Sequence, residues 1–239
     1  MISTSEAIVL KTIKYGDTSL IIHVFTKEHG KIAFIVKGAR KVKTKIKANI
    51  IQPLSILEIQ YRLNSKKEIQ LLTEARLLYI YKSIPVDMVK TAMALYLLEL
   101  INRSIRSKEE NTGLFTFLYQ FLLALDDVSN YSNWHFIFML ECTKYLGFYP
   151  QNNYSEDKCH FDPELGIFEE LKVVSFQFDK SVSLTLSQLL FSDLWQAHLL
   201  QIPKPTAKKL LSELERFFGL HVPNFSEIRS LEVYRQVFS

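Results

Sequence analysis

The highest density of basic side chains in the sequence lies in a run of cations between residues 37 and 47. Its eleven residues hold no acid and six basic side chains, namely Lys37, Arg40, Lys41, Lys43, Lys45 and Lys47. Side chains two residues apart in an extended backbone project to one side, so the four alternating lysines are expected to form a cationic row. Evenly spaced point charges suit a phosphate backbone, whose released counterions supply affinity. The run therefore predicts binding to a polyanion without sequence readout.

The net charge of +4 is unevenly distributed along the chain. Residues 1–82 carry 15 Lys and Arg against 6 Asp and Glu, a net of +9, whereas residues 83–239 carry 14 against 19, a net of −5. Such asymmetry favours a basic face that meets nucleic acid, with an acidic body behind it. Lys11, Lys14, Lys31 and Arg62 belong to the basic part and are expected to widen the footprint.

The first 80 residues have the pattern of β structure. Short runs rich in β-branched residues alternate with turn signals, and they predict strands at 7–13, 19–25, 31–37, 50–61 and 68–78. Five such strands suit a small closed barrel, for which the OB-fold is the five-stranded candidate. Tyr15 and Tyr61 are candidates for stacking on bases, whereas Phe34 is expected in the barrel core.

After residue 83 the apolar spacing becomes helical. The pattern predicts helices over 86–106, 114–125, 134–146, 184–198 and 206–218. Ser83 is a candidate N-cap for the first helix, and Gly147 and Gly219 are expected to end the third and the last. Short β segments are expected between 159 and 178. The fold class is therefore α+β and multidomain, with the barrel followed by an all-helical region.

The sequence offers no sign of an enzyme. It contains no phosphate-cradling glycine loop, no nucleophile elbow and no zinc-protease motif, and its paired acids lie where loops or helix ends are expected. Two alternatives stay open, an RNA-binding OB-fold adaptor and a protein-interaction scaffold, and a divalent-metal nuclease is a more remote one. The absence of an apolar run long enough to span a bilayer, together with only two cysteines, predicts a cytoplasmic protein without membrane attachment.

Six short motifs follow one another in order between residues 7 and 54, namely Ala-Ile-Val-Leu-Lys-Thr at 7–12, Tyr-Gly-Asp at 15–17, Val-Phe-Thr at 24–26, His-Gly-Lys at 29–31, Lys-Gly-Ala-Arg at 37–40 and Gln-Pro-Leu at 52–54. This ordered series resembles the N-terminal domain of the RecO family of bacterial recombination mediators. Arg-Ser-Leu at 229–231 and Arg235 are similar to the closing helix of the family. The likeness extends over the whole chain but is specific mainly between residues 7 and 54.

The resemblance implies an OB-fold domain at 1–80, a helical domain at 83–150 and 181–239, and an inserted region at 151–180. It also implies a nucleoid-associated DNA repair protein that binds single- and double-stranded DNA without sequence specificity and promotes strand annealing. With RecR and the C-terminal tail of single-stranded DNA-binding protein as partners, such a protein helps to load recombinase on coated DNA. The cationic run coincides with the DNA-binding surface of the family.

Zinc is the point on which the chain departs from many members of the family. Those members carry a four-cysteine zinc module after the helical core, but here only Cys159 stands near the expected place and no Cys-x-x-Cys pair exists. Cys159, His160 and Asp162 offer fewer than the four ligands of a closed structural site. Cys142 is expected to be a buried small apolar residue. The inserted region is therefore expected to resemble a zinc finger in shape without a metal, and no cofactor is expected.

Overall fold

The computed structural model describes residues 2–64, 66–106, 109–172 and 176–238. Residues 173–175 of the predicted insert lie outside these ranges. The chain divides into two compact units, the first formed by residues 1–127 with 230–237 and the second by residues 128–229. The domain boundaries that the resemblance implies stay a prediction.

The first unit contains a closed five-stranded barrel. Its strands are β1 (Ser3–Tyr15), β2 (Ser19–Thr26), β3 (Gly30–Val36), β4 (Ile56–Tyr61) and β5 (Ile69–Leu77). They close in the order β1-β2-β3-β5-β4, and β3 pairs with β5 in parallel while the other pairs are antiparallel. The barrel predicted from the β-branched runs is confirmed.

Inward-facing and outward-facing side chains alternate along β2 and β3, and the inward-facing ones fill the barrel. Val24, Ile32 and Phe34 point inward, and each is at most 2% exposed. Burial of a side chain of this size stabilises a fold by about 1.5 to 3 kcal/mol. The turn between β2 and β3 depends on Gly30, whose φ is +65°. A Cβ at this position would lie 2.0 Å from the backbone oxygen of Glu109, so the close approach as well as the dihedral angle requires glycine.

Six helices follow the barrel among the described residues. They are α1 (Met88–Ser104), α2 (Thr112–Asp127), α3 (Trp134–Leu146), α4 (Lys180–Phe191), α5 (Lys204–His221) and α6 (Ser230–Phe238). In the described part of the chain, none is both long enough and apolar enough to cross a bilayer. Gly147 ends α3 with a φ of +87°, as predicted. Gly219 does not end α5, which continues to His221, and α4 ends seven residues before the predicted position 198.

Helix α1 begins later than its sequence pattern predicts because Asp87, not Ser83, caps it. The Asp87 carboxylate accepts hydrogen bonds from the backbone N–H groups of Val89 and Lys90. This satisfies two of the donors that a helix N-terminus leaves unpaired. Ser83 instead lies in the connection between β5 and α1.

Asp126, at the end of α2, holds that connection in place. The residue is 3% exposed, and its carboxylate accepts hydrogen bonds from the backbone N–H groups of Lys82, Ser83 and Ile84 at 2.8 to 3.1 Å and from the Tyr79 hydroxyl at 2.9 Å. Burial alone would raise the pKa of Asp126, but these hydrogen bonds outweigh it and lower the pKa to about 2. Asp126, one of the paired acids expected in loops or at helix ends, is therefore a buried structural hub.

The first unit also includes α6, which packs on α1. The Glu99 carboxylate accepts the backbone N–H of Ser230 at 2.9 Å and its hydroxyl at 2.6 Å, which anchors the start of α6. One turn away, the rings of Tyr96 and Tyr234 are stacked with centroids 5.0 Å apart and planes 3° from parallel. Both tyrosines are fully buried. Residues 131 positions apart in sequence thus form one core.

The second unit combines α3, α4 and α5 with a small hairpin of β6 (His160–Asp162) and β7 (Ile167–Glu169). Phe161 and Phe168 lie opposite each other in the hairpin and are fully buried. The Phe161 ring also contacts Phe178 and Phe217 with centroids 5.1 and 5.7 Å away. Aromatic packing therefore gives this unit its core, and the expected β segments between 159 and 178 are confirmed.

Candidate nucleic-acid interface

The cationic run forms a loop after β3 rather than an extended strand. Residues 37–40 make a turn, and bends follow as far as 46. The backbone N–H of Arg40 donates to the Thr18 carbonyl at 3.0 Å, and Ala39 and Ile46 are buried at 3% and 5% exposure. The predicted extended backbone with its row of alternating lysines was wrong because these two apolar side chains pack against the barrel core. We call residues 37–47 the basic loop.

Although Ala39 and Ile46 pack against the barrel, the cations of the basic loop face solvent. Its six basic side chains, Lys37, Arg40, Lys41, Lys43, Lys45 and Lys47, are all exposed. Only Lys45 is in an ion pair with another described residue. Val42, between two of the lysines, is 98% exposed. The loop therefore presents five cations without a carboxylate partner among the described residues, which is the surface that a phosphate backbone requires.

Glu74 on β5 is the acid that engages Lys45. Its carboxylate lies 2.6 Å from the Lys45 ammonium, and the two side chains are 49% and 69% exposed. An exposed pair of this kind contributes little to stability, roughly 0 to 1 kcal/mol. It does hold the ammonium that a phosphate would otherwise bind. The sequence gives no signal for this contact because the partners are 29 residues apart.

Replacing Glu74 with glutamine is expected to raise the affinity for single-stranded DNA about threefold at low salt, since Lys45 no longer exchanges a carboxylate for a phosphate. Fluorescence anisotropy with a labelled oligonucleotide measures the change. Glu68→Gln is the matched control, because Glu68 is exposed and forms no ion pair with a described residue. Equal gains in the two variants would reduce the effect to net charge and contradict a specific role of the pair.

The four cations expected to widen the footprint differ in exposure, and Arg62 is exposed directly after β4. Lys11 and Lys14 are exposed on β1. Lys31 is half-buried, and its ammonium donates to the Asn102 carbonyl at 2.5 Å, so it faces α1. Burial and the nearby Lys11 lower the pKa of Lys31. His23 lies opposite Lys11, and burial together with Lys31 and Lys11 lowers the pKa of its imidazole.

The three aromatic candidates also differ in position. Tyr15 is 54% exposed at the end of β1 and is accessible to a base. Phe34 and Tyr61 are fully buried inside the barrel, where their rings meet edge to face with centroids 4.9 Å apart. Burial raises the pKa of Tyr61 to about 12, and its hydroxyl is paired with His29 at 2.9 Å. The prediction that Phe34 belongs to the core is confirmed, and Tyr61 belongs there as well.

The side chains considered as metal ligands make hydrogen bonds or are buried within the second unit. The His160 ring nitrogen Nδ1 lies 3.1 Å from the Phe178 carbonyl, and Asp162 accepts the N–H groups of the turn that follows it. Cys142 is fully buried, which raises the pKa of its thiol, and Cys159 is 9% exposed. Within the described ranges, no cluster of three or more His, Cys, Asp or Glu side chains could hold a metal.

Comparison with known proteins places two family models on the chain. The model described as "Recombination protein O N terminal" matches residues 1–81, and "Recombination protein O C terminal" matches residues 85–231. A protein of Phocaeicola vulgatus is 29% identical over 241 residues, with both chains fully covered. One of Flavobacterium johnsoniae is 32% identical over 248 residues, with 98% of each chain covered. One of Bacillus subtilis is 30% identical over 154 residues, covering 64% of this chain and 59% of its own. All three are named "DNA repair protein RecO".

Proposed function

Because the chain belongs to the RecO family of DNA repair and recombination proteins, we propose that it binds single- and double-stranded DNA without reading sequence and anneals complementary strands. One observation carries this proposal above all: the basic loop projects six exposed cations from a closed barrel, and five of them have no carboxylate partner among the described residues. The proposal places the protein in gap repair and homologous recombination.

The chemistry of the loop supports contact with the phosphate backbone rather than with base edges. Five of its six cations are lysines, which act as mobile point charges, and Arg40 is the single guanidinium that could bind in a bidentate manner. Sequence readout needs a recognition helix or several side chains aligned on base edges. A lysine-rich loop binds any strand in either form.

Annealing follows from the same electrostatics. Two strands that approach each other repel through their phosphates, and a cationic loop lowers that repulsion by replacing condensed counterions. The protein would act stoichiometrically, without ATP and without breaking a bond. We also propose that it works in the cytoplasm with RecR and the acidic tail of single-stranded DNA-binding protein to load recombinase on coated DNA. The family and the cationic surface support these partners.

The affinity for single-stranded DNA is expected to fall with salt at a log–log slope of about −3, since about four neutralised phosphates contribute roughly −0.7 each. Anisotropy titrations over a range of sodium chloride concentrations measure the slope, and a fluorescence annealing assay should slow in parallel. A slope near zero would contradict the proposal.

Two further measurements address the alternatives. An RNA of equal length in competition would favour the RNA-adaptor function if it displaced DNA strongly. Incubation of labelled DNA with magnesium or manganese is expected to leave the strands intact, and cleavage would establish a nuclease instead.

A further inference from the structure

Four aliphatic side chains lie in one row across the barrel. Ile13 on β1 is directly opposite Ile21 on β2, Ile21 is opposite Ile35 on β3, and Ile35 is paired with Leu71 on β5. Paired residues on neighbouring strands point to the same face of a sheet. The four therefore form a continuous stripe about three strand spacings long, roughly 14 Å. We call it the outer row.

The burial pattern shows that the outer row faces away from the barrel core. Its flanking residues on β2, β3 and β5 are at most 5% exposed, namely Leu20, Ile22, Phe34, Val36, Gln70 and Leu72. The ends of the row are open to solvent, with Ile13 39% and Leu71 47% exposed. An antiparallel sheet with one solvated face normally carries polar residues on it. Here an uninterrupted apolar stripe takes their place. A contiguous apolar stripe indicates an interaction surface, whereas single exposed apolar residues are common on any protein.

Cationic and aromatic groups surround the outer row. Lys11 lies two residues from Ile13 on the same face and is exposed. On the other side, Tyr15 is 54% exposed, and Lys37, the first cation of the basic loop, directly follows the last residue of β3. A ligand that fits must present flat apolar surface and regular negative charge a few ångströms apart. Unpaired nucleotides combine these properties, because every base has an apolar face and every nucleotide a phosphate.

We propose that the outer row is the platform on which the bases of a single strand lie, while the basic loop holds its phosphates. This inference rests on the proposed function and adds a contact that duplex DNA cannot make, since paired bases are stacked inside the helix. Aliphatic side chains contact the faces of bases and offer no hydrogen-bonding groups to their edges. The Watson–Crick edges of a bound strand therefore stay available to a complementary strand, as annealing requires.

The test compares two oligonucleotides of equal length, oligothymidylate and a strand whose sites are all abasic. Wild type is expected to prefer the strand with bases about tenfold, near the lower end of what stacking side chains provide. The double variant I13T/L71T, which places a β-branched threonine at each end of the row, should bind the two strands equally and keep the wild-type salt slope. The control is Leu77→Thr, at a leucine that lies on β5 like Leu71 and is 38% exposed. This variant should keep the preference for the strand with bases.

Each other outcome has a separate meaning. If wild type binds neither strand, the proposed function itself fails. If wild type binds both with the expected salt slope but I13T/L71T keeps the preference for bases, the outer row is not the platform and only this inference fails. An equal loss for both strands, or a wild-type dimer in analytical ultracentrifugation that I13T/L71T dissociates, would also overturn it, the latter in favour of a second copy of the chain. Circular dichroism melts verify that the variants are folded.

Discussion

Replacing Lys41, Lys43 and Lys45 together with glutamate is expected to weaken single-strand binding by more than about a hundredfold at about 0.1 M salt. Each neutralised phosphate contributes roughly 0.7 to the log–log salt slope, so at that concentration one contact is worth about fivefold and three are worth about a hundredfold. Charge reversal adds repulsion to this loss. Annealing should be abolished as well, and the remaining salt slope should approach −1.

The fold should survive these changes because the three side chains are exposed and the loop is fixed by Ala39 and Ile46. A control with the same change in net charge replaces Lys180, Lys204 and Lys208 of the second unit, which are exposed and outside the ion pairs of the described residues. Unchanged affinity in the loop variant, or a similar loss in the control, would show that the binding surface lies elsewhere.

Replacing Asp126 with alanine is expected to lower the free energy of unfolding by about 4 kcal/mol. The substitution leaves the backbone N–H groups of residues 82–84 without their acceptor, and an unsatisfied buried donor costs about 1 to 3 kcal/mol. Chemical denaturation measures the loss. Asp127→Ala, at the exposed neighbour, should change stability by less than about 0.5 kcal/mol.

The same carboxylate gives a pH dependence with a definite sign. The pKa of Asp126 falls from its ordinary 3.8 to about 2 on folding, so the unfolded chain binds the proton more readily. Its contribution is complete above pH 3.8 and disappears as the pH falls through about 2, with a total of about 2 kcal/mol. The stability difference between wild type and Asp126→Asn should therefore shrink over this interval. A difference that stays constant between these pH values would be inconsistent with an ionised hub.

The sequence predicts the barrel well because its strands satisfy local and global demands together. The β-branched runs of β2 and β3 end at turn residues, and Gly30 has the positive φ that its turn needs. Helix α3 was predicted with its observed bounds because its apolar residues run to Gly147. In such segments the information needed for the structure lies within a few neighbouring residues.

The features that the sequence could not predict all depend on distant partners. Ser83 has the composition of an N-cap, but its N–H and hydroxyl are committed to Asp126, 43 residues away. Gly219 can adopt any backbone conformation, and α5 continues through it to the packed ring of His221, which stacks on Phe148. Lys45 is paired with Glu74 across the barrel surface. The outer row also exists only once strand register is known, since its members come from four strands.

The return of α6 to the first unit has a consequence for biosynthesis. Tyr96 leaves the ribosome long before Tyr234, with which it stacks. The hydrogen bond between Glu99 and Ser230 joins the same two helices across 131 residues of sequence. At about 5 to 20 residues per second, translation needs roughly ten seconds to supply the missing helix. Throughout that interval the nascent chain carries a completed barrel beside an uncovered tyrosine face. This face is covered only when synthesis has passed through the whole second unit.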